Sequence, residues 1–454
     1  MNKLLYLLGS LLASSLPFSH PQSSSQESRS CFQAPGASSP AHSFVSTTAV
    51  VGRDNGVSNN NAALYIENFH FLLKSVASYD QTLNVIDFGA KPGGEIDSLE
   101  AFLAAWESAC STTTPSTIYV PQGRFLLGKV VFKGSYDYCK SNGITIKIDG
   151  ALVAPSNYDV MGNDGNWLLF DDVNGVSIIG GVLDGQGNGL WECKRSGKTN
   201  CPMGATNLGF TNSKNIVING VTSLNSQMYH IVIDRSNNVK VQGVRVSAAG
   251  NSPNTDGIHV QLSSFVTILA SNIATGDDCI SIGPGTTNLW IENIACGPGH
   301  GISVGSLGKE FEEAGVENVT VKTVTFTGTE NGVRIKSWGR PSNGFARDIL
   351  FQHATMIHVQ NPIVIDQNYC PDENGCPGQV SGVKISNVMY EDIHGTSASE
   401  VAVRLNCSPR NPCHEITFQD VKLTYDENNN KQAQASCIHA QGITSGFVQP
   451  NGCF

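Results

Sequence analysis

The sequence predicts an all-β chain, a single-domain right-handed parallel β-helix with an N-terminal capping helix. Three observations carry this. Asp256, Asp278 and His300 follow one another at equal steps of 22 residues, with apolar alternations between them such as Ile258-His259-Val260 and Ile280-Ser281-Ile282. An Asn followed by an apolar alternation recurs at Asn215, Asn238, Asn288 and Asn318, at steps of 23, 50 and 30, and Phe265 begins the extra coil inside the longest step. Charged residues are sparse at 15% while there are 47 glycines, which suits many tight turns between interior ladders. A repeat near this period marks a solenoid. Crossovers between parallel strands of one sheet are nearly always right-handed. Stacked strands lie about 4.8 Å apart, so residues one coil apart form a short column on one face.

Taken in order, residues 1–20 read as a secretory signal peptide, with Lys3, an apolar run from Leu4 to Leu16 and then small residues. Residues 21–80 are rich in Ser, Asn, Gln and Ala without a period, as expected of a disordered linker or pro-segment. The β-helix domain is expected over 81–454. It opens with a strand at Leu83–Phe88 that ends in a turn at Gly89. Ser98 to Cys110 has an apolar face at helical spacing and a Ser cap, the one clear helix, placed to cover the open first coil. Short strands then recur almost to the end, from Ile118-Tyr119-Val120 to Glu415-Ile416-Thr417-Phe418. The Asn residues at the strand entrances are expected to satisfy turn backbone and to stack on one another.

Thirteen cysteines fit an oxidising destination. Setting Cys31 aside, Cys193/Cys201, Cys370/Cys376 and Cys407/Cys413 are spaced to staple single loops. Cys110/Cys139, Cys279/Cys296 and Cys437/Cys453 are plausible longer closures, although sequence alone does not fix the connectivity. Paired C-x-x-C spacings are absent, which disfavours a cysteine metal site. The net charge of −10 argues against general binding to nucleic acid or anionic membrane. After the leader, no stretch is long and apolar enough to span a bilayer, so an exported, soluble monomer is expected.

Taken one at a time, the polar residues of the central stretch have bland readings. Asn254-Thr255-Asp256-Gly257 and Gly276-Asp277-Asp278 are good turns, His300 sits between glycines, and Arg334-Ile335-Lys336 could be a solvated strand face. Coil register changes that reading, because it gathers them on one surface. Arg334 and Lys336, two apart, leave the same face of a strand. The 34 residues from His300 to Arg334 fit one coil enlarged by a loop at Lys309 to Val316. Crowded carboxylates beside a His, an Arg and a Lys suit glycoside hydrolysis, where one carboxyl must carry a proton and another must be ionised. The two cations point to a sugar that bears its own carboxylate. Spacing alone does not say which Asp is the acid.

NTDGIH at 254–259, GDDCISI at 276–282, CGPGHGISVGSLG at 296–308 and RIK at 334–336 resemble the four signatures of the polygalacturonases, glycoside hydrolase family 28, in its plant branch. The resemblance extends from about Asn84 to Cys453. It implies hydrolysis of α-1,4-galacturonosyl links in de-esterified pectin with inversion, without cofactor or metal. It also implies endo attack by an enzyme of the cell wall. By position it makes Asp277 the general acid, and Asp256 and Asp278 the residues that activate water. His300 would support the acid's protonation state. Arg334 and Lys336 would hold the galacturonate carboxylate, with Tyr369 and Asn254 as further substrate contacts. Lys91-Pro92-Gly93-Gly94 and Ser337-Trp338-Gly339-Arg340-Pro341 depart from the family pattern. Asn318 and Asn406 head glycosylation sequons. The rivals are a Ca²⁺-dependent pectate lyase and a non-enzymatic wall-binding protein. The second is disfavoured because all six residues of the core set are present. Lys336→Ala is expected to weaken substrate binding far more than folding.

Overall fold

Inward β-branched and Leu side chains decide how each coil closes. In the computed structural model, which describes residues 81–454 apart from 136, 142, 372–374 and 426–430, they stack into continuous ladders. Ile231, Ile258, Ile280, Ile302, Val333, Ile363 and Val403 occupy one such ladder, strand above strand. None of them is more than 2% exposed. Their strands belong to a sheet of eleven, all paired in parallel. In chain order these are β1 (Val130–Lys133), β2 (Asn166–Asp171), β3 (Thr206–Thr211), β4 (Ile231–Asp234), β5 (Ile258–Gln261) and β6 (Ile280–Ile282). Then come β7 (Ile302–Leu307), β8 (Asn331–Trp338), β9 (Asn361–Tyr369), β10 (Val401–Asn406) and β11 (Gln434–Ile438). The remaining strands form the second wall, and the shared core lies between the two walls. This is the parallel β-helix expected from the 22-residue steps. The proposed leader 1–20, the linker 21–80 and Cys31 lie outside the described residues.

The recurring Asn has a backbone reason that periodicity did not reveal. Asn215, Asn238, Asn288, Asn318 and Asn387 all adopt left-handed backbone with φ between 50° and 57°, the region that Asn tolerates better than most residues. Each lies near the start of a strand of the second wall. Their amides stack as expected: Asn238 Nδ2 donates to Asn215 Oδ1 at 2.7 Å and Asn215 Nδ2 to Asn174 Oδ1 at 2.7 Å. Phe265 takes the same left-handed place (φ 55°) but has no amide, so the ladder breaks there and resumes with Asn318 donating to Asn288.

Three local expectations need correction. The predicted strand 83–88 is a strand only over Gln81–Asn84. Asn84 Oδ1 then accepts from Ile86 N at 3.1 Å, and Val85–Phe88 winds into a 3₁₀ turn closed by Gly89 at φ 103°. The helix α1 (Leu99–Cys110) begins after Ser98, but Ser98 does not cap it with its side chain. Asp97 Oδ1 accepts from Leu99 N instead (3.0 Å), while Ser98 Oγ accepts from Lys91 N (3.2 Å). A second helix, α2 (Asn188–Arg195), was missed. It is only eight residues long and is tied down by the Cys193–Cys201 disulfide rather than by a long apolar stripe.

Helix α1 buries Phe102, Ala105 and Trp106 against the first coils. Trp106 lies on an aromatic stack, 5.1 Å from Phe132, which continues to Phe170 (4.7 Å) and Phe210 (4.9 Å). Its indole N–H donates to Lys133 O at 3.0 Å. Trp106→Ala is therefore expected to destabilise the fold by about 3–5 kcal/mol, from lost aromatic burial and an orphaned carbonyl; thermal unfolding measures it. All six expected disulfides are present: 110–139, 193–201, 279–296, 370–376, 407–413 and 437–453. No described helix is long and apolar enough to cross a membrane.

Candidate active site

The column predicted from equal spacing forms. Ile258, Ile280 and Ile302 pair in register, so Asp256, Asp278 and His300, each two residues upstream, follow one another on successive coils just before β5, β6 and β7. Backbone bonds lock this alignment: Gly257 N donates to Asp278 O (2.9 Å) and His300 N to Asp277 O (2.8 Å). Cys279, bridged to Cys296, pins the same turn. On the outer face of the sheet, the next register column runs His259, Ser281, Ser303 and Arg334.

Asp278 is the electrostatic centre. Its carboxylate is 1% exposed and is held from three sides. Oδ1 accepts from Arg334 Nη2 at 2.9 Å and from Ser303 Oγ at 2.8 Å, and Oδ2 accepts from Lys336 Nζ at 2.8 Å. Arg334 Nε also donates to Ser303 Oγ at 3.0 Å. Burial would raise the pKa of Asp278, but Lys336 and Arg334, with their hydrogen bonds and that of Ser303, overcome it and bring the value down to about 2. The same pairing raises both cations above their usual range against the opposing effect of burial.

Asp256 has the opposite environment. Burial first, then the negative charges of Asp277 and Asp278, push its carboxyl well above the usual range, and contacts with Ser281 and Lys336 only partly offset this. Asp277 is the most open of the three, its side chain 20% exposed. Its Oδ1 accepts from Asp278 N (2.8 Å) and meets His300 Nδ1 at 3.1 Å. The other ring nitrogen of His300 lies 3.3 Å from Glu330 Oε2. Carboxylates at both nitrogens favour the imidazolium, the form in which both are donors. Burial alone would lower the pKa of His300, yet Asp277, Glu330 and Asp278 together raise it.

Tyr369, at the end of β9, sets its ring 5.1 Å from Lys336 Nζ and edge-on to Trp338 at 5.4 Å. Burial pushes its hydroxyl pKa up. Asn254 is half-buried in left-handed backbone (φ 56°) two residues before Asp256. An open cavity of about 510 Å³ adjoins His300 and is also lined by Pro298, Thr329, Glu330, Gln360 and Ser399.

Several participants carry no sequence signal of their own. Ser303 and Glu330 reach the site only because coils stack. On the other flank, Gln261 Nε2 donates to Asp234 Oδ1 (3.1 Å), His259 meets Gln261 Oε1 (3.2 Å) and Ser281 Oγ (2.7 Å), and Tyr229 stacks on His259 at 5.2 Å. Burial lowers the pKa of His259, so this imidazole is a neutral hydrogen-bonding group. In the sequence, Ile258-His259-Val260 reads only as a strand alternation, so that flank is visible first in the fold.

Metal ligation has a specific candidate, since one ligand atom from each of Asp277, Asp278 and His300 lies within 4.8 Å of the others. The donor set fits poorly. Both oxygens of Asp278 are taken by Lys336, Arg334 and Ser303, and a cation there would face two fixed positive charges.

Comparison with known proteins gives the arrangement its relatives. A profile described as Glycosyl hydrolases family 28 matches residues 110–444. A polygalacturonase of Prunus persica is 65% identical over 385 residues, covering 85% of this chain and 96% of its own. An exopolygalacturonase of Platanus acerifolia is 42% identical over 379 residues, covering 83% and 99%. Among solved structures, an endo-xylogalacturonan hydrolase from Aspergillus tubingensis matches with a TM-score of 0.70 at 21% identity, over 82% of this chain and 100% of that one. A hyperthermoactive exopolygalacturonase from Thermotoga maritima matches at 0.65 with 20% identity, over 81% and 92%. At these identities the two structures bear on the fold alone.

Proposed function

The chain belongs to glycosyl hydrolase family 28, among its plant polygalacturonases, and from that premise we propose that it is a secreted cell-wall enzyme cutting α-1,4-galacturonosyl links of de-esterified pectin with inversion and endo attack. Pectin-degrading glycoside hydrolysis follows from the family. The roles of single residues, the stereochemistry and the mode of attack are the finer part of the proposal.

The observation that carries it is the division of charge among the three carboxyls. Asp278 is held ionised by Lys336 and Arg334, as a base that takes a proton from water must be. Asp277 is the most exposed of the three carboxyls and shares a hydrogen bond with His300 Nδ1. The proton at that contact is the one delivered through Asp277 to the leaving glycosidic oxygen. Asp256, buried beside both, orients the attacking water together with Asp278. As Asp278 removes the proton from that water, the new C–O bond forms on the face opposite the departing oxygen, and the anomeric centre inverts. Two cations against one carboxylate leave a surplus positive charge at Arg334 and Lys336. That surplus can hold the carboxylate of the sugar by charge-assisted hydrogen bonds, with Tyr369 and Asn254 as neighbouring contacts.

One experiment tests the reading. Polygalacturonate is digested with and without EDTA, and early products are sized while the new reducing ends are followed by NMR. The expected result is β-anomer appearing first, a spread of oligomer sizes, no unsaturated product and no effect of EDTA. Unsaturated, EDTA-sensitive product would make the protein a lyase. Release of a single short product from the outset would make it exo-acting.

A further inference from the structure

The outer face of the sheet carries one more cation in line with the reaction centre. Arg334 on β8 pairs in register with Val364 on β9, and Val364 with Arg404 on β10. All three side chains leave the same face, so Arg404 lies two rungs beyond Arg334, about 10 Å along that face. Its surroundings differ from those of Arg334. The Arg334 side chain is only 11% exposed and bound to Asp278, whereas Arg404 is exposed. Among the described residues, the Arg404 guanidinium makes no hydrogen bond or ion pair. Val364 between them is 6% exposed and offers an apolar floor. In the adjacent column Lys336, Asp366 and Asn406 follow in register. Asp366 is a carboxyl that feels Arg404: burial raises its pKa while the Asn368 N–H, Arg334 and Arg404 lower it. Arg404 thus adds a third cation to Arg334 and Lys336 on this face. Past Arg404 the next residue of the column, Ser436 on β11, is exposed as well.

We infer that Arg404 is a second carboxylate clamp, binding a uronate of the same polymer about two sugars from the bond that is cut. The inference rests on the polygalacturonase reading and deepens it. A chain with a carboxylate on every sugar, laid across the strands, meets a buried clamp at Arg334, an apolar rung at Val364 and a free guanidinium at Arg404. The fork of a guanidinium suits a carboxylate bidentately in a way an ammonium does not. The apolar rung between them makes no demand for charge, so a neutral methyl ester is tolerated there better than at either clamp.

The test compares wild type, Arg404→Gln and Arg404→Lys on polygalacturonate and on the shortest oligogalacturonide the wild type cleaves. Arg404→Gln is expected to raise KM for the polymer about tenfold, the change equivalent to about 1.4 kcal/mol. It leaves kcat and the KM for the short substrate unchanged, and Arg404→Lys falls between the two. An unchanged KM for the polymer, or an equal rise on both substrates, overturns the inference. A wild type that fails to cleave polygalacturonate would instead sink the parent reading. Equilibrium binding of polygalacturonate to wild type and Arg404→Gln then decides the clamp by the same tenfold criterion.

Discussion

Asp277→Asn is expected to fold as the wild type does and to lose turnover by about 10²–10⁴-fold, the usual range for removal of a general acid. The substitution keeps the shape of the side chain and an oxygen that can accept from Asp278 N, the bond that now holds the turn at 2.8 Å. It cannot pass on the proton resting at His300 Nδ1, 3.1 Å away. The loss should fall on kcat and kcat/KM alike, because the interaction removed matters only as the leaving oxygen gains charge. Steady-state kinetics beside a melting curve measure both halves. A variant with near wild-type turnover would remove Asp277 from the mechanism. A loss matched by a large drop in melting temperature would assign it to the fold instead.

The candidate site was legible to the extent that it depends on period. Asp256, Asp278 and His300 were found because a coil has a fixed length here, and the register of Ile258, Ile280 and Ile302 is that length made visible. Arg334 and Lys336 were found because side chains two apart share a strand face. Glu330 and Ser303 were not, since each contributes through a contact some 25 to 30 residues away that no local pattern announces. Helix α2 escaped for a related reason: Leu190, Trp191 and Cys193 are too few to set up a helical stripe, and a disulfide completes what the stripe lacks. The Asn phrase was seen as a ladder but not as a backbone device, because left-handed φ is a property of conformation that composition only hints at. Lys336 gains most from the fold. From sequence it is a clamp for the substrate carboxylate; the fold makes it a buried partner of a buried carboxylate as well.

That second role alters what Lys336→Ala should do. The expectation from sequence is a binding defect with little effect on folding, and it takes no account of what Lys336 holds in the fold. Lys336 is 7% exposed and its ammonium lies 2.8 Å from an Asp278 that is 1% exposed in its side chain. Removing it leaves a buried carboxylate with Arg334 and Ser303 only, and breaking such a pair typically costs about 3–5 kcal/mol. The pH dependence identifies the cause. In the wild type the carboxyl of Asp278 is lowered to about 2, so its contribution to stability is present above the unfolded-state value and is lost only as pH falls towards 2. Without Lys336 the carboxyl rises. The stability increment on this site then disappears already in mildly acidic solution, and the acid limb of the kcat/KM profile moves to higher pH. Asp256 and His300, both raised, act in the other direction in either protein, since their favourable terms are complete at low pH and fade as pH rises. The wild type should therefore be most stable in mildly acidic solution, and the variant should lose chiefly the acid side of that range. Melting temperature and kcat/KM followed across pH for both proteins provide the check. An acid limb that does not move in Lys336→Ala would mean that Asp278 does not owe its charge to this lysine, and that Lys336 acts on substrate alone.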